Sequence, residues 1–222
     1  MRIGLIVPSS NTVMEPDFHR HLDDCVISTT RIFLESVTRE AEVRMLAEHL
    51  PKAIELLRTT APDAVVFGCT SAGALGALAH DDAIGEAIQA GTGSRAITVL
   101  SAVLAQLRRI APRRLAVFTP YVEDLTLGIA ASLAEGGFAP VRAVGMGIQA
   151  NLDIGRVTPR EIAEFVESQI EGCAADCAFL SCTNWQAIEA IEPLRRKLGI
   201  QIVTSNQAAI EAVRAMRVPA RH

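Results

Sequence analysis

Two cysteines in this chain each stand beside a threonine at the end of a short apolar run: Val65-Val66-Phe67-Gly68-Cys69-Thr70 and Ala178-Phe179-Leu180-Ser181-Cys182-Thr183. If those runs are buried strands of a parallel sheet, both thiols lie where such sheets bind ligands, beyond the carboxyl ends of the strands. A helical pattern follows each pair. A helix N-terminus stabilises a thiolate through its dipole and unpaired N–H groups, which lowers the thiol pKa. The same N–H groups, from Thr70 and Ser71 on one side and Thr183 and Asn184 on the other, can hold a carboxylate or a developing oxyanion. Two such thiols flanking a small acid would act as acid and base, or as nucleophile and acid. A lone free cysteine is more often a small buried hydrophobe, and Cys25, Cys173 and Cys177 take that reading. The spacing of Cys173 and Cys177 offers no further His or Cys for zinc, and His19 and His21 beside Asp23 and Asp24 read as a solvated helix end. No metal site is expected.

What must position the cysteines is legible as a repeat. Arg2-Ile3-Gly4-Leu5-Ile6-Val7-Pro8 is echoed by Arg114-Leu115-Ala116-Val117-Phe118-Thr119-Pro120, and Cys69 follows Ile3 at nearly the distance at which Cys182 follows Leu115. Two similar lobes, each presenting Cys-Thr at a strand end, explain both matches. Branched apolar runs at 3–7, 26–33, 64–67, 96–99, 115–118, 141–144, 178–180 and 201–203 read as strands. Helical patterns occupy 40–59, 101–110, 121–135, 158–171, 185–198 and 205–216. Thr158-Pro159-Arg160-Glu161 is a capping box with proline in the first turn. Strands alternating with helices give the α/β class, with parallel sheets flanked by helices. Residues 1–95, joined by a C-terminal helix at 206–222, are expected to form one lobe and residues 96–205 the other, with the active site in the cleft between them.

Composition agrees. Half of the 222 residues are hydrophobic, 21% are charged and only 4% are aromatic, so aliphatic side chains must fill the core, as they do around buried parallel sheets. A net charge of −4, without basic runs, argues against nucleic acid as partner. The apolar stretch at the N-terminus is too short for a signal peptide, and no segment is long enough to cross a membrane. A cytoplasmic protein with reduced thiols is expected, since five cysteines at irregular spacing do not make a disulfide framework. Gly73 and Gly76 form neither a GxGxxG nor a phosphate loop, and no cofactor motif is present. A homo-oligomer, dimer or higher, is expected, with the apolar helix at 101–110 as one face that could be covered.

The segments GLIVPSSNTVMEPDF, FGCTSAG, FTPYVEDL, ANLDIGRVTP and SCTNWQAIEAIEPLRRKLGIQIVTSNQA occur in that order. Together they resemble the maleate cis–trans isomerase branch of the aspartate/glutamate racemase superfamily, over residues 2–216. The resemblance implies two α/β lobes related by a pseudo-twofold axis, an active site between them and no cofactor. It implies that Cys69 is the nucleophile and Cys182 the proton-handling cysteine. It further implies that Asn11, Tyr121 and Asn151 hold the carboxylates of a small dicarboxylic acid. Arylmalonate decarboxylases are similar, but carry glycine at the Cys69 position and lack the Asn11 side chain, which disfavours decarboxylation. Read as residues alone, Asn11 is a helix cap, Tyr121 a packed residue at a helix start, and Asn151 turn punctuation. Ser9, Ser10, Thr119, Ser205 and Asn206 fall at strand ends and would line the pocket more loosely.

The function so implied is isomerisation of maleate, or a similar unsaturated dicarboxylate, to fumarate. One alternative is a racemase of aspartate, glutamate or hydantoin type, using the same cysteines as an acid/base pair, with Glu15 or Asp17 receiving an ammonium group. The other is a non-catalytic module that binds small acids.

Overall fold

The computed structural model describes residues 1–216. The chain alternates strand and helix: β1 (Arg2–Pro8), α1 (Met14–His21), β2 (Val26–Ile32), α2 (Arg39–Arg58), β3 (Ala64–Phe67), α3 (Thr70–Gly73), α4 (Ala77–Thr92), β4 (Arg95–Thr98) and α5 (Val99–Ile110). The second half continues with β5 (Leu115–Thr119), α6 (Glu123–Glu135), β6 (Arg142–Gly145), α7 (Asn151–Arg156), α8 (Pro159–Ile170), β7 (Cys177–Leu180), α9 (Ile191–Leu198), β8 (Gln201–Thr204) and α10 (Ser205–Ala215).

The strands form two four-stranded sheets, ordered β2-β1-β3-β4 and β6-β5-β7-β8. Every pairing is parallel. The second order is the first repeated, so the echo in sequence is an echo in topology. Each strand run expected from sequence is a strand. The first sheet extends to Thr98, however, past the boundary expected at 95/96, because β4 pairs with β3 from Ala64↔Arg95 to Phe67↔Thr98. The expected C-terminal helix is present as α10, and its residues 217–222 lie outside the described residues.

Strand alternation explains how one sheet serves two cores. Along β1, Ile3, Leu5 and Val7 join a cluster that also holds Val117, Phe118 and Phe179 of the other sheet, so this face looks across the lobes. Ile6, Val65 and Phe67 point the opposite way, into a cluster with Met45 and Leu57 of α2 and with Ile84 and Ile88 of α4. The lobes are further joined by α5 and α10, which follow the equivalent edge strands β4 and β8 and pack against each other. Val103 and Leu107 of α5 and Ile210 and Val213 of α10 are all buried. The buried face of the helix at 101–110, which the sequence offered as one that a second copy could cover, packs on α10 within the chain. Among the described residues no helix is long and apolar enough to cross a membrane.

Candidate active site

Each cysteine lies just past a central strand. Gly68 follows β3 and its N–H bonds Ile6 O at 2.8 Å, whereas Ser181 follows β7 and its N–H bonds Phe118 O at 2.8 Å. These equivalent bonds end each ladder at the same height and turn Cys69 and Cys182 toward the seam. At Gly68 a side chain is excluded: a Cβ would stand 2.4 Å from Met14 Sδ and 3.1 Å from Ile6 O. Both cysteines line one small, partly open pocket, together with Asn11, Ser71, Tyr121, Asn151, Thr183 and Asn184. Pro8, Leu34, Val37 and Glu42 complete its wall. Thr70 does not line it, and its hydroxyl is bonded to Ser205 Oγ at 2.9 Å.

The polar wall is held by bonds that cross between lobes. Asn11 Oδ1 accepts from the N–H groups of Val13 (3.1 Å) and Met14 (3.0 Å), capping α1, while its Nδ2 donates to Thr183 Oγ1 at 3.0 Å. Asn11 thus caps a helix and also faces the cavity. Thr183 in turn donates to Gly68 O at 2.9 Å. Asn184 Nδ2 donates to Asn151 O (2.6 Å) and its Oδ1 accepts from Thr12 N–H (2.8 Å). Asn151 Nδ2 donates to Ser10 Oγ at 2.8 Å. Gly155 permits this crowding, since a Cβ there would lie 2.6 Å from Thr12 Oγ1 and 3.0 Å from Asn184 Oδ1. Arg31 fixes the loop from outside, donating to Asn11 O at 2.6 Å and pairing with Glu15 at 2.6 Å.

A roof closes the cavity. Ser36 and Ala150 form an isolated antiparallel bridge, and Val37 N–H bonds Gln149 O at 2.9 Å. The loop after β2 in one lobe thereby meets the loop after β6 in the other.

The electrostatics differ from the sequence expectation. Both thiols were expected to be acidified by helix N-termini. Instead burial pushes both up, because removing a thiolate from water costs more than the local donors return. The helix expected from 185 starts only at Ile191, so Cys182 is followed by turns. It keeps good donors all the same. The N–H of Asn184 lies 3.2 Å from its Sγ, and the N–H of Trp185 and the hydroxyl of Tyr121 also bond it. Burial lifts Cys182 to about 12 against these donors. Cys69 is pushed higher, by burial first and then by the carboxyl of Glu42, with the N–H of Ala72 and the hydroxyl of Ser71 opposing. Of the two, Cys182 better accommodates a negative charge.

Glu42 is the residue that sequence reading missed. It is fully buried in the first turns of α2, and the Ser71 hydroxyl donates to its Oε1. Its Oε2 has no partner. Burial raises its pKa to about 7, with Ser71 and Arg39 pulling the other way. In sequence Thr38-Arg39-Glu40-Ala41-Glu42 reads as an ordinary acidic helix start. The available signal was phase, since Glu42 lies three residues before Met45 on the face that continues through Ala53 and Leu57. Glu15 and Asp17 are not in the cavity. Glu15 pairs with Arg31, and Asp17 accepts from Asn206 Nδ2 at 2.8 Å and from Arg20.

Fold and site define a class: two-lobed α/β enzymes with a cysteine from each lobe at one cavity. Known proteins agree, and the chain belongs to the arylmalonate decarboxylase family, whose sequence profile matches residues 3–221. Its relatives place it among the enzymes of the maleate isomerase-like group. Arylmalonate decarboxylase of Bordetella bronchiseptica is 29% identical over 96% of this chain and 89% of its own. The maleate isomerase of Geobacillus stearothermophilus is 25% identical over 94% and 88%. Among solved structures, a cysteine-to-serine variant of Nocardia farcinica maleate cis–trans isomerase, bearing a covalently bound succinylcysteine intermediate, superposes with a TM-score of 0.89 at 21% identity, over 98% of this chain and 93% of that one.

Proposed function

We propose that this enzyme isomerises maleate, or a similar small cis-unsaturated dicarboxylate, to the trans acid without a cofactor. The observation that carries the reading is a thiol from each lobe on one cavity that also presents Asn11, Tyr121 and Asn151. The relatives that share an isomerase name support it, and the cysteine at position 69 separates this chain from the decarboxylase pattern.

The reaction requires a carbon–carbon double bond to become single for long enough to rotate. The Cys182 thiolate takes the proton of the Cys69 thiol as that sulfur adds to one alkene carbon, a transfer reversed on release; an S–C bond forms and the alkene electron pair moves onto the adjacent carboxylate as an enediolate. Asn11 Nδ2 and backbone N–H groups at the strand ends stabilise that charge. Cys182 then gives its proton to the neighbouring carbon and becomes a thiolate, held by Tyr121 and the N–H groups of Asn184 and Trp185. After rotation the Cys182 thiolate removes a proton from that carbon, the S–C bond breaks and the trans acid leaves. Asn151 grips the second carboxylate. The intermediate on this route is a succinyl thioether, the species captured in the Nocardia farcinica enzyme.

The test is proton NMR of the protein with maleate in D₂O. Fumarate should form, and Cys69→Ser should abolish it with the fold intact; full activity in that variant overturns the scheme. A racemase reading is favoured by one observation, the buried carboxyl of Glu42, which could receive an ammonium group where Glu15 and Asp17 cannot. Deuterium entering the α-position of aspartate or glutamate, with no fumarate, would establish it.

A further inference from the structure

Among the described residues no arginine, lysine or histidine lines the cavity, yet a fully buried carboxyl does. A dicarboxylate admitted there would place two more negative charges in a largely buried space beside Glu42, with no cation among the described residues of its wall. The groups acting on Glu42 are few. Arg39 lies on its own helix, with its guanidinium donating to Leu75 O at 2.8 Å. Cys69 adjoins it from the β3–α3 turn, and Tyr121 and Cys182 feel it from the other lobe. Strand β2 and helix α4 contribute apolar Ile32, Ile84 and Ile88 to the cluster around α2. None of these neutralises a trianionic cluster.

The carboxyl is also fixed. Its Oε1 is taken by the Ser71 hydroxyl. Only Oε2 is unpartnered, nine-tenths buried and more, on a residue of the cavity wall. We propose that Glu42 is a substrate-binding residue that works as the neutral acid, its Oε2–H donating to one carboxylate of the dicarboxylate, so that binding takes up one proton. The inference rests on the isomerase reading, since it presumes a dicarboxylate. The raised pKa of Glu42 agrees with it, because an acid poised near neutrality is readily converted to the neutral form by a bound anion.

The consequence is a pH dependence opposite in sign to that of thiolate formation. Maleate KM should rise about tenfold per unit above about pH 7, while thiolate formation acts on kcat in the opposite sense. Glu42→Gln should remove the dependence, because the amide keeps the acceptor for Ser71 and offers an N–H without needing a proton. Glu42→Leu should weaken binding at every pH.

Calorimetry with succinate, the unreactive saturated diacid, reads the proton apart from turnover. In buffers of different ionisation enthalpy, wild type near pH 8 should take up about one proton per succinate and Glu42→Gln none. If wild type isomerises no maleate yet shows this uptake, the isomerase reading fails and the role of Glu42 stands. Succinate binding without proton uptake, or no succinate binding at any pH, overturns the proposal. So does tighter binding near pH 6 of succinamate, which replaces one carboxylate by an amide. Aspartate binding that strengthens as pH rises through about 7, and is lost in Glu42→Gln, would make Glu42 an ammonium receptor and overturn it as well.

Discussion

At the scale of single residues, the two thiols of the proposed mechanism stand in different surroundings. Cys182 has three donors on its sulfur, and Cys69 has a carboxyl at its back. Tyr121→Phe removes one donor that stabilises the Cys182 thiolate of the adduct. A hydrogen bond to a charged group contributes about 1.5–3 kcal/mol, so kcat should fall between about tenfold and about a hundredfold. Alkylation of Cys182 across a pH series should show its pKa rising in the same variant; an unchanged kcat removes Tyr121 from the mechanism. Asn11→Ala loses a helix cap and a bond across the lobes together, so it should cost stability, on the order of 1–2 kcal/mol by denaturant midpoint, as well as KM. The cysteine pair is legible in the sequence because a duplicated motif repeats the chemistry. Glu42 is not, since Glu40 beside it looks the same, and only the docking of α2 on the sheet exposes one and buries the other.

Among the elements, the strands were the readable part, because parallel strands buried on both faces are continuous apolar runs. The helices around the site were less so. Helix α1, Met-Glu-Pro-Asp-Phe-His-Arg-His, is short and polar and exists by virtue of its Asn11 cap and the buried Met14 and Phe18. Helix α4 carries Gly85 and Gly91 and little amphipathic contrast; Gly91 is there because Ile54 of α2 comes so close that a Cβ would stand 2.3 Å from it. The 185–190 segment has helical periodicity, yet its chain is held by Asn184 and by Gln186, whose Nε2 bonds Gly155 O at 3.0 Å. These are tertiary contacts that no local pattern carries. The α5–α10 seam makes a mechanical prediction. Ile210→Ala should cost about 2–5 kcal/mol, measured by urea unfolding, and both lobes should lose stability in one transition. Separate transitions would show that the seam does not couple them.

For the molecule as a whole, three buried carboxyls tie stability to pH. Burial raises Glu42 to about 7 and Asp17 and Asp81 to about 6. Each is held neutral in the folded state while the unfolded chain ionises, so its contribution is present in full at acid pH and lost as pH rises through the folded value. For Glu42, the window from the ordinary glutamate value of 4.5 to about 7 corresponds to on the order of 3 kcal/mol. The thermal midpoint should therefore decline between about pH 5 and about pH 8, and Glu42→Gln should flatten part of that slope. The roof bears on time rather than on energy. Asn11, Glu42, Cys69, Tyr121, Asn151 and Cys182 are each 5% exposed or less, so an acid reaches them all only when the wall yields. Entry is expected at the roof, where the two lobes meet by few bonds, so each turnover should part the Ser36–Ala150 contact twice, once to admit and once to release. A molecule whose loops are stapled there, by Ser36→Cys and Ala150→Cys oxidised together, would hold all its chemistry intact and complete none of it, and reductant should restart the clock.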